Sequence, residues 1–276
     1  MLKKSFIFFV YAFAVFGVLL TGVFFAVKYG FTNEAGMIDS QRRSFLNNQT
    51  AGTTSPEAAV QEAPAWTKSD EWQILKEAVL KDREQIYKAA AVAGIPSRLL
   101  VAQLVVEQMR LFFDNRELFK TVFSPLKVLG NQSQFSWGVM GIKQETARVI
   151  ENNLKDKDSP FYLGPAYEHL LDFTTDDPDK ERFDRIINED DRYYSYLYAS
   201  LYMKELLAQW KSAGYDVSNR PEIASTLYNI GFQNSHPKAN SKSGGSEITT
   251  GDATYSFGAL AAEFYNSQEL IEYFPN

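Results

Sequence analysis

The distribution of hydrophobic and polar positions divides the chain into three parts. Residues 6–27 are almost continuously apolar and contain no charged side chain, whereas residues 28–67 are mostly small and polar, with little periodicity. From residue 68 onward, apolar positions recur at helical spacing, and no pair of alternating runs is joined by a recognisable hairpin turn. The pattern therefore predicts a mostly α-helical domain at 68–276, with at most a short β excursion.

End signals place several of these helices. Ser69 is expected to cap a helix that begins at Asp70 and stops at Gly94, since serine favours the N-cap and glycine the position after the last turn. Pro96 is suited to the first turn of the next helix. The helices predicted in this way are 70–93, 98–112, 142–154, 191–213, 221–230 and 257–273.

The apolar run at 6–27 predicts a transmembrane signal anchor. As a helix it spans roughly 33 Å, enough for a hydrocarbon core of about 30 Å. A cleaved signal peptide is the alternative, but its apolar region is usually shorter and ends in small residues. Lys3 and Lys4 favour a cytoplasmic N-terminus at 1–5. The rest of the chain, a flexible linker at 28–67 and then the domain, is expected on the extracytoplasmic (periplasmic or cell-wall) side of the cytoplasmic membrane.

Composition narrows the available chemistry. The 276 residues include no cysteine and only two histidines, which excludes disulfides, thiolate metal sites and a centre built from several histidines. The 28 lysines and arginines against 34 aspartates and glutamates give a net charge of −6, without a basic block. Such a chain is a poor nucleic-acid binder, so no nucleic-acid partner is expected.

One glutamate stands out in the predicted helix at 98–112. Apolar residues cover nearly the whole circumference of this helix, and Leu100 and Leu104 lie on the same face as Glu107. A glutamate in such surroundings is seldom buried unless it is paired or lines a cleft, and partial desolvation suits a general acid that works near neutral pH. The alternative is a half-exposed helix on which Glu107 pairs with Arg110.

Two later segments of the chain carry motifs that can be considered together with Glu107. Residues 136–147 read SWGVMGIKQETA, and residues 225–231 read STLYNIG. Together with Glu107 they resemble, over about 70–232, the lytic transglycosylases of the soluble-lytic-transglycosylase and goose-type lysozyme-like superfamily. That family has a glutamate followed by serine, then Gly-Leu-Met-Gln-Ile-x-Pro-x-Thr-Ala, then Ala-Tyr-Asn-Ala-Gly. The matching positions here are Gly138, Met140, Ile142, Thr146, Ala147, Tyr228, Asn229 and Gly231.

The resemblance implies a lysozyme-like (goose-type) helical domain and a membrane-anchored peptidoglycan lytic transglycosylase that uses one carboxylate. Glu107 is expected to protonate the oxygen of the MurNAc–GlcNAc β-1,4 bond and then to accept the proton of the MurNAc C6 hydroxyl, which closes a 1,6-anhydro ring. Glycan strands of peptidoglycan are the expected partner, and neither metal nor cofactor is needed. The residues expected to bind the glycan are Ser136, Gly138, Val139, Met140, Tyr228 and Asn229.

Departures from the family motifs leave other functions open. Gln108 stands where the family has serine, Gly141 where it has glutamine, and Gln144 where it has proline. These changes motivate a non-catalytic peptidoglycan-binding or scaffold module of the cell envelope. A second carboxylate near Glu107 would instead favour a hydrolytic muramidase. The candidates for that carboxylate are Asp114, Glu117, Glu189, Asp190 and Asp191.

Two further segments, 112–134 and 234–255, differ from the predicted helical regions around them. The spacing between Glu107 and Ser136 exceeds that expected for the family, which indicates an insertion at 112–134. The polar stretch at 234–255 is expected to be a disordered loop or, alternatively, a lid. A role in a secretion or transfer machinery of the cell envelope is a further hypothesis, which the sequence does not separate from general wall turnover.

Overall fold

The computed structural model describes residues 64–113, 136–250 and 253–276, and within these ranges the protein is mostly helical, as predicted. The helices are α1 (Asp70–Lys81), α2 (Arg83–Ala93), α3 (Ser97–Phe113), α4 (Gln144–Lys155), α5 (Pro178–Ile187), α6 (Tyr193–Ser212), α7 (Pro221–Ile230) and α8 (Phe257–Asn266). The described residues also form two antiparallel hairpins: β1 (Ser136–Trp137) pairs with β2 (Ile142–Lys143), and β3 (Glu247–Thr250) pairs with β4 (Ala253–Ser256).

The predicted ends of the first helical region are confirmed. The Ser69 hydroxyl accepts the backbone N–H of Trp72 at 3.2 Å, and Gly94 ends α2 in the left-handed conformation with φ +66°. Ser69 therefore caps α1, and Gly94 supplies the backbone conformation that other residues adopt only with strain.

The prediction of one continuous helix over 70–93 is wrong, because the chain breaks at Asp82. Asp82 is 2% exposed, and its carboxylate accepts hydrogen bonds from Tyr196 Oη at 2.8 Å and from Arg192 Nη1 at 3.3 Å. Both donors belong to α6 or its first flanking residue. The break thus anchors the α1–α2 junction to α6 through contacts distant in sequence, which helical spacing cannot show.

Helices α3 and α6 form the centre of the core. Residues 98–110 of α3 are all buried, which confirms the prediction from its apolar circumference. Helix α6 packs against α2, α4, α5 and α7, whereas α3 packs against α1, α2 and α8. On α6, Tyr198 and Tyr202 are 0% and 4% exposed, so they belong to the core and do not present rings to a glycan.

Arg98 joins the start of α3 to the C-terminal segment. Its buried guanidinium donates five hydrogen bonds of 2.7–3.0 Å to backbone carbonyls at the end of α8 and in the turns after it. The acceptors are the carbonyls of Phe264, Tyr265, Ser267, Glu269 and Phe274. Accordingly the last helix ends at Asn266, shorter than the predicted 257–273.

Three elements were not predicted: helix α5 and the two hairpins. Helix α5 follows Asp177, whose side chain accepts the N–H of Lys180 at 3.0 Å, and it begins with Pro178, so the sequence carries both a cap and a start signal for it. The polar stretch at 234–255 contains β3 and most of β4, paired in register through Ile248 and Tyr255. It is therefore not a disordered loop where the structure describes it.

The packed region also begins before residue 68. A short 3₁₀ turn spans Ala65–Lys68, and the Trp66 ring is fully buried, with its centroid 4.9 Å from that of Trp72 and 6.1 Å from that of Phe264. The linker predicted at 28–67 thus includes three residues, 65–67, that belong to this turn. An aromatic pair of this geometry stabilises beyond the burial of its surface.

Several predicted segments lie outside the described residues. These are the cytoplasmic N-terminus at 1–5, the anchor at 6–27, the linker up to residue 63, and all but the first two residues of the insertion at 112–134. Within the described ranges, no single helix has both the length and the apolar character of a membrane span; α2 and the start of α3 pass that criterion only as a pair bent by 120°.

Candidate active site

Three segments that are far apart in sequence meet around Glu107. Glu107 lies on α3, and the turn of the β1–β2 hairpin packs against its carboxylate: a methyl group at Gly141 would overlap Oε1 and lie 3.0 Å from Cδ. Tyr228 of α7 donates its hydroxyl hydrogen to the carbonyl of Met140, at 2.8 Å. The glutamate, the hairpin turn and the tyrosine predicted to share a site therefore do lie together.

The hairpin turn owes its shape to two glycines. Gly138 and Gly141 have φ values of +65° and +64°, a region in which a side chain is strained. A Cβ atom at Gly138 would lie 2.6 Å from the carbonyl oxygen of Ile186 and would overlap Ser195 Oγ. The turn is thus pressed between the end of α5 and the start of α6 on one side and Glu107 on the other.

Hydrogen bonds from two helices hold the backbone of this turn. Gln108 Nε2 donates to the carbonyl of Val139 at 2.6 Å, and the backbone N–H of Met140 donates to Ser195 Oγ at 3.4 Å. The side chains of Val139 and Met140 are buried, at 1% and 0% exposure. These two residues therefore contribute their backbone to the site and their side chains to the core.

Glu107 has one feature of each alternative predicted for it: it is buried, and it pairs with Arg110. The Arg110 guanidinium donates to Glu107 Oε1, which is the pairing expected of a structural role. However, Glu107 and Arg110 are only 3% and 4% exposed, so the helix is not half exposed at this point. Glu107 does not face an open groove in this structure. The pair is a buried ion pair, whose formation requires two charges to leave water.

Tyr228 lies in the electrostatic field of this ion pair. Burial first, and then the neighbouring Glu107 carboxylate and Tyr202, raise the pKa of Tyr228 well above its usual value, against the opposing effect of Arg110. The phenol therefore stays protonated at neutral pH and serves as a hydrogen-bond donor to Met140.

Asn229 and Ser136, which were also predicted to bind the glycan, lie outside the turn 138–141. Asn229 is half-buried, and its Oδ1 accepts the backbone N–H of Ser246 at 2.8 Å and the Ser246 hydroxyl at 3.3 Å. Asn229 thus holds the segment before β3 against α7. Ser136 lies in β1 with Lys143 as its cross-strand partner, and its side chain lies outside the described part of the molecule.

Among the described residues, the candidates for a second carboxylate are not part of the Glu107 cluster. Asp114 and Glu117 lie outside the described residues, whereas Glu189, Asp190 and Asp191 are exposed. Asp191 accepts the N–H of Tyr193 at 3.0 Å, at the start of α6.

Sequence reasoning missed four residues that shape the site: Gln108, Arg110 as a buried partner, Gly141 and Ser195. Gln108 and Gly141 had been noted only as departures from the family motifs. A polar residue on a helix with an apolar circumference was the available signal for Gln108, because a buried amide needs a hydrogen-bond partner. For Ser195 the sequence carries no comparable signal.

Other cavities and clusters lie apart from these residues. A groove of about 380 Å³ runs along α5 and the start of α6, lined among others by Lys180, Asp184 and Tyr194 and by no residue of the Glu107 cluster. Among the residues that the structure describes, no group of three or more histidine, aspartate or glutamate side chains is arranged to hold a metal ion.

Comparison of the chain with protein-family models, with curated proteins and with solved structures finds no match.

Proposed function

We propose that this protein is a membrane-anchored, lysozyme-like lytic transglycosylase that cleaves the MurNAc–GlcNAc β-1,4 bond of peptidoglycan. The observation that carries the proposal is the convergence of Glu107, the turn 138–141 and Tyr228. The fold brings together the same three motifs on which the resemblance depends, and it does so through specific contacts.

In the proposed reaction, Glu107 first donates its proton to the glycosidic oxygen, and the bond between that oxygen and C1 of MurNAc breaks. The charge that develops at C1 resembles an oxocarbenium ion. The C6 hydroxyl of the same sugar then bonds to C1 while its proton passes to the Glu107 carboxylate. The substrate supplies the nucleophile, so the acid is regenerated without water and the product carries a 1,6-anhydro ring.

The Arg110 contact defines what activation requires. A guanidinium on Oε1 stabilises the charged carboxylate, whereas the first step needs a protonated one. We expect substrate binding to draw Glu107 away from Arg110, so that the carboxylate gains both access to the glycan and a proton.

The experiment that tests the proposal is digestion of purified sacculi by the full-length protein in detergent, followed by mass spectrometry of the muropeptides. We expect 1,6-anhydroMurNAc products from the wild type, and at least about a 100-fold loss of turnover in Glu107→Gln, because general acid–base catalysis contributes about 10²–10⁴-fold. Glu145→Gln makes the same chemical change at an exposed position next to the hairpin and should retain full activity.

The products separate the alternatives. Reducing-end muropeptides without anhydro sugar would identify a hydrolytic muramidase. The buried Glu107–Arg110 pair favours the other candidate, a non-catalytic peptidoglycan-binding module, since that pair satisfies the carboxylate without substrate. Binding to sacculi without any released muropeptide, equal in wild type and Glu107→Gln, would establish that function and reject the enzyme.

A further inference from the structure

We infer that Tyr202 of α6 is a positioning residue for the Glu107 site, an inference that rests on the proposed function for its catalytic consequence. Tyr202 is 4% exposed and belongs to the core, so it does not touch the glycan. It acts instead through three successive contacts, which lead from α6 through α7 and the hairpin turn to the glutamate.

The first contact is made at the C-terminal end of α7. Tyr202 Oη donates to the carbonyl oxygen of Tyr228 at 3.3 Å, and the ring of Phe232 also contacts the Tyr202 ring. Between these two partners the chain turns at Gly231, with φ +90°, where a Cβ atom would lie 3.6 Å from Oη. One buried hydroxyl thus pairs with a carbonyl of the last turn of α7.

The second contact orients the Tyr228 ring. The ring centroids of Tyr202 and Tyr228 are 4.8 Å apart, and the ring centroid of Phe232 lies 4.5 Å from that of Tyr202. Tyr202 therefore fixes both the backbone and the ring of Tyr228. With its ring so held, Tyr228 directs its hydroxyl at the carbonyl of Met140.

The third contact reaches the glutamate. Met140 immediately precedes Gly141, whose backbone packs against the Glu107 carboxylate without room for a Cβ atom. A change in the position of Tyr228 therefore moves the surface that Glu107 rests on. Side chains in a close-packed interior transmit such shifts, because few voids are available to absorb them.

The test compares Tyr202→Phe with Tyr196→Phe in the full-length protein. Each variant loses one buried hydroxyl from α6 and keeps the ring, but the Tyr196 hydroxyl binds Asp82 at 2.8 Å, at the α1–α2 junction. With peptidoglycan as substrate, we expect Tyr202→Phe to lower kcat about tenfold or more with KM within about twofold, since misplacement of a reacting group affects the chemical step. Tyr196→Phe should keep the wild-type kcat.

A second measurement keeps the inference testable whatever the activity. Amide hydrogen exchange of residues 136–143 should become faster in Tyr202→Phe than in Tyr196→Phe at equal global stability. Unchanged kcat together with unchanged exchange in a folded Tyr202→Phe protein would overturn the inference. Equal losses of kcat in both variants would overturn it as well, by showing a general effect of destabilisation. Absence of activity in the wild type would reject the proposed function, and the exchange data would then decide the coupling alone.

Discussion

Single buried polar residues carry much of the information in this molecule. Glu107, Gln108 and Arg110 occupy one stretch of α3, and each is at most 4% exposed. Gln108 binds the hairpin backbone, whereas Glu107 and Arg110 bind each other. Because burying a polar group without a partner is unfavourable, such residues mark places where the fold provides specific contacts.

Glu205 is the residue for which the structure predicts a pH effect. It is fully buried on α6, and Asn153 Nδ2 donates to its Oε2 at 3.0 Å, while Oε1 has no hydrogen-bond partner among the described residues. Burial raises the pKa of Glu205 well above its ordinary value of 4.5, against the effect of the Asn153 bond. The folded protein therefore keeps the proton at pH values at which the unfolded chain has released it.

The sign of the stability change follows from this difference. Above the unfolded pKa the folded state binds one more proton, so the free energy of unfolding falls as pH rises, by up to about 1.4 kcal/mol per pH unit, until the folded pKa is passed. Glu205→Gln resembles the protonated acid and should remove this decline. Urea unfolding across the range from about pH 4 to about pH 8 measures it. Parallel curves for Glu205→Gln and the exposed control Glu145→Gln would contradict the prediction.

At the level of elements, the β1–β2 hairpin is the piece that assembles the site. Its two strands have only two residues each, and its turn contacts α3, α6 and α7. A hairpin this short is not stable alone, so its conformation depends on these helices. This is why its glycines are needed where the backbone approaches Glu107 and Ile186 closely.

Replacing Gly141 by alanine tests this close approach. Alanine is strained at φ +64°, and its methyl group also overlaps Glu107 Oε1. Gly214→Ala is the matched control, since Gly214 has φ +87° but no atom within 4 Å of a Cβ position. We expect Gly141→Ala to lower the free energy of unfolding by about 1–3 kcal/mol more than Gly214→Ala, the usual effect of overpacking. Equal losses in urea unfolding would show that Glu107 is not held by the turn.

For the whole molecule, the two ends of the described chain are part of the same core. Trp66, before α1, packs against Phe264 of α8, and Arg98 binds five carbonyls of the C-terminal segment. Contacts between residues so far apart in sequence close long loops, and they stabilise the fold only when most of it has formed.

A substitution at Trp66 tests where the folded domain begins. Because the ring is fully buried, Trp66→Ala should lower the free energy of unfolding by about 3–5 kcal/mol. Tyr215→Ala, at a residue that is 39% exposed, should change it by less than about 1 kcal/mol. Denaturant unfolding of the full-length protein in detergent gives both values. If Trp66→Ala has no effect, residues 64–67 belong to the linker after all.

The sequence alone was enough for the features that depend on neighbouring residues. The cap at Ser69, the stop at Gly94, the burial of α3 and the position of most helices follow from local spacing, and the structure confirms them. Glu107 and Tyr228 were predicted through a family resemblance and not through any local rule, and both lie against the hairpin turn.

Only the tertiary structure decided the remaining features, because they depend on partners distant along the chain. The break at Asp82 exists because Arg192 and Tyr196 bind its carboxylate. The hairpin at 136–143 has strands of only two residues each, too short to show an alternating pattern in the sequence. Its conformation is stabilised by the helices around it. Likewise, whether Glu107 would be exposed, paired or buried was decided by packing: the turn at Gly141 and Arg110 enclose a carboxylate that helical spacing could only place on one face.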